Sequence, residues 1–403
     1  MSRILIHDYA GHAFPISLSR SLAERGYTVC HAFASSQQTP RGALKRRDDD
    51  PENLTFHAIG MNPDYVKDKY SFPKRRKHEC NYGKTAAEFI KSWNPDVVLS
   101  GNTPTETQGY ILKAANIASA PFVYWVQDFY SIAVTQLLRK KLPIIGEPIG
   151  WYYRKLDKSH LIGSAAVICI TEDFKPYLQK WSVQKERSHV IPNWAELNAF
   201  PLKSKYNPWA RKHSLEDKFV FLYSGTLGMK HNPELLSSLA EHFLNDSSVQ
   251  IVVNSEGIGA EFLKDAKIKR NLKNLTINSY QPFEEIADVL ASADVLLTIL
   301  EPEAGVFSVP SKTLSYLCAG RPILGAMPTE NLAAKIVTEE SAGRIVEPSD
   351  IDGFLQTAHG FYSDQSNLQD MGTNARAYAE STFSIHAITA RFEEIFKKVT
   401  SVK

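Results

Sequence analysis

A rhythm constrains this chain more than any single motif does. A short apolar run ends in polar residues, a stretch with helical spacing follows, and another apolar run begins. The opening RILIHDYAGHAFPISLSRSLAERGYTVCHAFA shows one full cycle. Arg3 to Ile6 reads as a strand, and the chain turns around Gly11. Leu18, Leu22 and Ala23 then recur at helical spacing, Gly26 stops the helix, and a second strand runs from Thr28 to Phe33. Strands written as continuous apolar runs, with helices between them, predict an α/β protein whose parallel sheet is covered on both faces. The cycle repeats through DVVLSGNT, PFVYWVQD and AAVICITED. Each run ends in polar residues, which places Asn102, Asp128, Glu172 and the Gly11–His12 loop on one carboxyl rim, where open α/β sheets bind ligands.

The rhythm pauses once, in NWAELNAFPLKSKYNPWARKHSLEDK, and restarts at FVFLYSGTLG. A chain of 403 residues exceeds one ordinary core, so the pause reads as a boundary between two domains. The expected division is an N-terminal domain over 1–198, a linker over 199–218, and a C-terminal domain over 219–383. Near the end, Ile385, Ile388, Phe392, Ile395, Phe396 and Val399 line one helical face. This helix, 384–403, is expected to pack back on the N-terminal domain.

Composition narrows the function classes. Net charge is +2, far from the balance of a nucleic-acid binder, so any positive field must be local. No run approaches the roughly 20 apolar residues of a spanning helix. In MSRILIHDYAGH, His7 and Asp8 interrupt the apolar stretch that a signal peptide would need, which predicts a cytoplasmic protein. Cys30, Cys80, Cys169 and Cys318 show no CxxC spacing, so neither a disulfide framework nor a zinc site is expected. Two stretches concentrate positive charge: FPKRRK at 72–77, and 137–158, where Arg139, Lys140, Lys141, Arg154 and Lys155 interleave with Trp151, Tyr152 and Tyr153. The second reads either as a core helix pair with solvated charges or as a surface for anionic lipid.

Two turns read as phosphate sites. In YSGTLGMKHNPELL a strand runs into Gly225 and Gly228, whose bare backbone can approach an anion, and Lys230 stands just before a helix. Neither the GxxxxGK[ST] nor the GxGxxG spacing is present, which argues against an ATPase or a dehydrogenase. In VPSKTLSYLCAG, Ser311 and Lys312 occupy the first turn of a helix. A lysine there opposes the helix dipole by roughly 0.3–1 kcal/mol unless an anion compensates it. Two anion sites fit a diphosphate.

VPSKTLSYLCAGRPIL resembles the PSK segment of group 1, family 4 glycosyltransferases with the GT-B fold. YSGTLGMKHN, PFEEIADVLASADVLL and SAGRIVEPSD are similar to neighbouring motifs of that family in the same order. HDYAGHAFPISLSRSLAERGYTV and YWVQDFY resemble its acceptor-domain counterparts, so the likeness spans most of the chain. The resemblance implies two Rossmann-like domains facing across a cleft, the C-terminal one binding a UDP- or GDP-linked sugar and the N-terminal one the acceptor. It also implies transfer with retention of anomeric configuration, and neither metal nor cofactor. Gly225 and Lys230 would hold the diphosphate, with Ser311 and Lys312 closing on it.

The chain departs from the family at two points. The glutamates that many relatives carry eight positions apart align with Phe307 and Ser315, so contacts to ribose and donor sugar fall to Glu256, Glu301, Glu303 or Ser315. The arginine often found after the diphosphate-loop glycine is Thr226, leaving Lys312 as the second cation. Such departures are common in the PSK-type subgroup of capsule and O-antigen assembly. Asp128 and His12 are the candidate catalytic residues, with Gly11 and Asn102 on the acceptor side. If 137–158 is a lipid-facing surface, Trp151, Tyr152, Arg139, Lys140 and Lys141 meet the inner face of a membrane, and the acceptor expected is then polyprenyl-diphosphate-linked. A non-hydrolysing nucleotide-sugar epimerase and a non-catalytic scaffold are the competing readings.

Overall fold

The computed structural model describes residues 2–36, 41–68, 71–141, 146–228, 231–302 and 310–401, without the side chains of Ala133, Gln136, Leu137, Lys140 and Lys141. Lys230, Glu303, Phe307 and the side chains of Lys140 and Lys141 therefore lie outside the described residues. The chain divides into two compact units, Met1–Asn193 with Ile385–Lys403, and Trp194–Ser384.

In the first unit, β1 (Arg3–Asp8), β2 (Thr28–Ala34), β3 (Leu54–Ile59), β4 (Val97–Gly101), β5 (Phe122–Val126), β6 (Ala166–Cys169) and β7 (Ser188–Val190) form one parallel sheet. Its order is β3-β2-β1-β4-β5-β6-β7. In the second, β8 (Phe219–Ser224), β9 (Val249–Asn254), β10 (Leu275–Asn278), β11 (Val295–Ile299), β12 (Ile323–Ala326) and β13 (Gly343–Val346) follow the order β10-β9-β8-β11-β12-β13, also parallel. Both orders reverse direction beside their first strand, between β1 and β4 and between β8 and β11. At such a switch point the connections leave to opposite sides and a crevice opens outside the strand ends.

The apolar runs of the sequence are the buried centres of these sheets: Ile4, Leu5 and Ile6 are at most 1% exposed, and Val220, Phe221 and Leu222 are fully buried. Burial on both faces explains why the runs are continuous rather than alternating. The helix Ile385–Thr400 belongs to the first unit. Phe392, fully buried, meets Trp125 of β5 edge-on at 5.1 Å, while Arg25 pairs with Glu393 and donates to the His386 carbonyl at 2.6 Å.

The stretch expected to be a linker, 199–218, is folded onto the second unit. Asn207 caps the helix Pro208–Lys212 by accepting the Trp209 and Ala210 N–H groups, and donates to the Ser292 hydroxyl at 3.0 Å. Trp209 is buried and Lys205 pairs with Asp294 at 2.5 Å. The residues lack periodicity because they act as caps and struts, not because they are loose. Among the described residues no helix is long and apolar enough to cross a membrane.

Candidate functional site

At the switch point of the first unit the crevice is built around Asp8, the last residue of β1 and 1% exposed. Gly11 takes a left-handed φ of +77°, which favours glycine, and its N–H reaches back to the Asp8 carbonyl at 3.2 Å; a Cβ there would also displace the tip of the Leu44 side chain, 2.7 Å away. The tight turn delivers His12 to the start of the helix Ala13–Glu24, with its N–H bonded to the Asp8 carboxylate and its ring Nδ1 3.5 Å from Asp8 Oδ1. From the end of β4, Asn102 donates to the same carboxylate at 3.2 Å, its φ also left-handed at +51°.

Burial works to raise the Asp8 pKa, but the charge and hydrogen bonds of His12 outweigh it and the carboxyl stays below its ordinary value. For His12, burial opposes protonation and Arg41 adds to that, yet Asp8 wins and lifts the imidazole above its usual 6.5. Beneath this cluster His7, pushed down by burial to about 4, bridges the hydroxyls of Ser100 at 3.0 Å and Tyr82 at 2.9 Å as a neutral strut.

Asp128 stands exposed just past β5. Its neighbour in the field is Asp157, whose Oδ2 accepts the Ser131 N–H at 3.2 Å and so ties the helix Tyr130–Lys141 to the helix Gly146–Gly163. Burial raises the Asp157 carboxyl to about 6, and the Asp128 charge adds to the lift.

The second unit brings the two expected phosphate turns together. β8 ends at Ser224, and Gly225 follows with φ +131° and its N–H on the Asn254 carbonyl at 3.0 Å. From the helix Ser311–Ala319, the Lys312 side chain crosses to this turn: a Cβ on Gly225 would meet its Cε at 3.5 Å and its Nζ at 3.7 Å. The Lys312 ammonium donates to the Tyr223 hydroxyl, lies 3.7 Å from the centre of that ring, and is 3.4 Å from the Thr226 carbonyl oxygen. Ser311 is exposed at the first turn of its helix and Ser315 half-buried one turn on. Glu301 is half-buried beyond β11. Glu256 is exposed and accepts the Tyr280 N–H at 3.3 Å, while the Tyr280 hydroxyl reaches Thr226 at 3.3 Å.

On the helix Gly146–Gly163, Trp151 is 58% and Tyr152 39% exposed, with the Lys155 ammonium 5.3 Å from the Trp151 ring centre. Tyr153 does not share that face. It is 2% exposed and donates to Glu106 at 2.8 Å, because the helical turn carries it inward. Arg139 and Arg154 both pair with Glu147 at 2.6 Å, so part of the expected basic field is compensated. Asp8, Tyr223 and Tyr280 are site residues that the sequence alone did not mark, and Thr226 stood out only as the position of a missing arginine. Asp8 carries the same signal as Asp128, a carboxylate closing an apolar run, whereas a strand tyrosine such as Tyr223 reads as core. Among the described residues no three His, Cys, Asp or Glu side chains group in a metal-binding arrangement.

Two Rossmann-like parallel sheets in series are the architecture of GT-B glycosyltransferases, and solved structures of that class match the whole chain. A sucrose-phosphate synthase from Thermosynechococcus elongatus superposes with a TM-score of 0.75 over all of both chains at 13% identity. Anabaena HepE, solved with UDP and glucose, gives 0.73 over 99% of this chain and all of its own, also at 13%. WaaG, a glycosyltransferase involved in lipopolysaccharide biosynthesis, gives 0.68 at 15% identity over 98% of this chain and 99% of its own. More particularly, residues 16–194 match the model of the glycosyl transferase 4-like domain, which covers most of the first unit. WcaI of Escherichia coli K12, named for glycosyl transfer in colanic acid biosynthesis, is 23% identical over 342 residues, 82% of this chain and 81% of its own. Fold and domain match agree: the chain has the GT-B architecture, and residues 16–194 are similar to a glycosyl transferase 4-like domain.

Proposed function

We propose that this chain is a retaining, metal-independent glycosyltransferase of the PSK-type subgroup, moving a sugar from a UDP- or GDP-sugar to a lipid-linked saccharide in capsule, O-antigen or exopolysaccharide assembly. One observation carries the reading: the Lys312 ammonium stands over the bare Cα of Gly225 at the carboxyl-end switch point of the second unit. A cation and an open backbone turn in that place suit a diphosphate. HepE, of the same fold, was solved with UDP-glucose, which supports a nucleotide-sugar as the donor here.

In this reading the second unit holds the donor. Gly225, Lys230, Ser311 and Lys312 take the diphosphate, and Glu256, Glu301, Glu303 and Ser315 are available to the ribose and sugar. As the anomeric C–O bond to phosphate breaks, negative charge grows on the leaving diphosphate, and fixed cations favour that change over the ground state. The acceptor hydroxyl bonds to the anomeric carbon on the same face, and its proton passes to the departing phosphate oxygen, so the chain itself needs no strong base. The first unit holds the acceptor through Gly11, Asn102 and His12. His12 is raised toward the imidazolium by Asp8 and so serves as a hydrogen-bond donor to acceptor oxygens. Asp128 orients the attacking hydroxyl. The exposed Trp151 and Tyr152, with Lys155 beside them, suit a headgroup surface, which favours a polyprenyl-diphosphate-linked acceptor at the inner face of the membrane.

The test is turnover. Purified protein is incubated with UDP- and GDP-sugars and polyprenyl-diphosphate saccharides in vesicles, and released nucleoside diphosphate and glycosylated lipid are measured. Stoichiometric release and transfer with retained configuration are expected. Release of nucleotide with an epimerised free sugar, or no turnover despite nucleotide binding, contradicts the proposal.

A further inference from the structure

The residue that organises the second switch point is Tyr223. The ladder between β8 and β11 pairs Phe221 with Val295 and Leu222 with Leu296, so Tyr223 and Ser224 run on beyond those pairs at the carboxyl end of β8, held on their other side by Val253 and Asn254 of β9. Two tyrosines work on that segment. The Tyr316 hydroxyl accepts the Ser224 N–H at 3.0 Å and donates to the Ser224 carbonyl at 3.1 Å, clamping the helix that carries Lys312 to the end of β8. The Tyr223 hydroxyl donates to the Thr226 carbonyl at 2.7 Å and so bridges its own strand to the turn it feeds. The same hydroxyl accepts from the Lys312 ammonium, and the ring lies beneath it.

What Tyr223 gives to Lys312 differs from what a carboxylate would give. The phenol is fully buried, and burial, aided by the neighbouring hydroxyls of Tyr316 and Tyr280, holds its pKa well above the usual value, so it stays neutral. A lone pair and a π face orient an ammonium without cancelling its charge. The full positive charge is still offered to an anion at Gly225. The fixed geometry also limits the ordering cost that a four-carbon side chain would otherwise meet on binding.

We propose that Tyr223 is a positioning residue for a nucleoside diphosphate: its ring and hydroxyl set the Lys312 ammonium against the Gly225–Thr226 turn, so that cation and turn bind the diphosphate as one unit. This rests on the nucleotide-sugar reading of that turn. The role is distinct from packing, because the ring alone fills the core whereas the hydroxyl joins the cation to the turn.

The test is a double-mutant cycle on the full chain, with UDP and GDP as titrants in isothermal calorimetry. Tyr223→Phe keeps the ring and loses both hydroxyl bonds, and is expected to weaken binding about 5- to 10-fold. Lys312→Ala is expected to weaken it about 30-fold. In the double variant Tyr223→Phe is expected to add nothing further, since there is no ammonium left to place. Steady-state kinetics should show a raised donor KM with the acceptor KM unchanged. Wild-type affinity in Tyr223→Phe, with Lys312→Ala weakened, overturns the positioning role and leaves the donor site standing. Losses that multiply in the double variant also overturn it, because Tyr223 then acts apart from Lys312. No binding by the wild-type chain, or full binding by Lys312→Ala, removes the donor-site reading on which the proposal depends.

Discussion

Glu79 lies inside the first unit, 7% exposed on the helix Phe72–Trp93. Its Oε1 is 3.4 Å from the Tyr65 hydroxyl and 3.5 Å from Arg75 Nε. Burial is the largest influence on its carboxyl and raises it; Arg75 pulls it down, the Glu106 charge pushes it up, and the outcome is a pKa of about 7 against an ordinary 4.5. Between those values the folded chain holds a proton that the unfolded chain has released. This group's stabilisation is therefore complete below pH 4.5 and is lost as pH rises through 7. Integrating the linkage for that pair of values gives about 2.5 kcal/mol lost between pH 5 and pH 8. Glu79→Gln removes the titration while keeping an acceptor for Tyr65. The variant should be near wild type at pH 5, where Glu79 is itself neutral in the folded chain, and should gain on wild type by about 1–2.5 kcal/mol by pH 8, the lower figure allowing for the Arg75 partner that the carboxylate then has and the amide lacks. Urea unfolding followed by tryptophan emission at half-unit pH steps measures the difference, and Asp157, titrating at about 6, cancels between the two proteins. Stability curves that run parallel from pH 5 to pH 8 would show that Glu79 ionises as an ordinary carboxylate and refute the reasoning.

Gly225→Ala forces a side chain onto a φ of +131° and should cost about 1–3 kcal/mol in thermal unfolding, with nucleotide affinity falling as the turn shifts; an unchanged affinity would mean that the turn does not touch the nucleotide. Asp8→Asn keeps an acceptor for the His12 N–H but removes the charge, so the His12 pKa followed by NMR should fall, and a value equal to wild type would show that Asp8 does not control it. Trp151→Ala should reduce sedimentation with vesicles containing anionic lipid, where each nearby cation contributes about 1 kcal/mol; equal sedimentation would detach this face from the membrane.

Much of the architecture was readable because parallel strands covered on both faces must be apolar throughout, and Arg3–Ile6, Thr28–Phe33 and the 219–222 run carry that mark plainly. The polar ends of the runs located the rims for the same reason. What escaped depends on contacts distant in sequence. Tyr223 and Tyr316 have the profile of core aromatics, and their roles appear only when a hydroxyl meets a backbone or an ammonium about ninety positions away. Tyr153 was derivable: one helical step beyond the exposed Tyr152 turns it inward, and treating Trp151, Tyr152 and Tyr153 as one patch ignored the 3.6-residue period. Residues 199–218 misled in the opposite sense, since caps such as Asn207 carry structure without periodicity.

The central claim is that the second unit binds a nucleoside diphosphate through the Gly225 turn and Lys312. Thermal unfolding of the wild-type chain and of Lys312→Ala against UDP, GDP, ADP and CMP tests it most directly. A ligand at a hundred times its dissociation constant stabilises by about 2.7 kcal/mol, ample for a measurable rise in Tm. The account predicts a rise with UDP or GDP, none with CMP, and a clearly smaller rise in Lys312→Ala. No rise with any nucleoside diphosphate, or one that Lys312→Ala leaves intact, would contradict it.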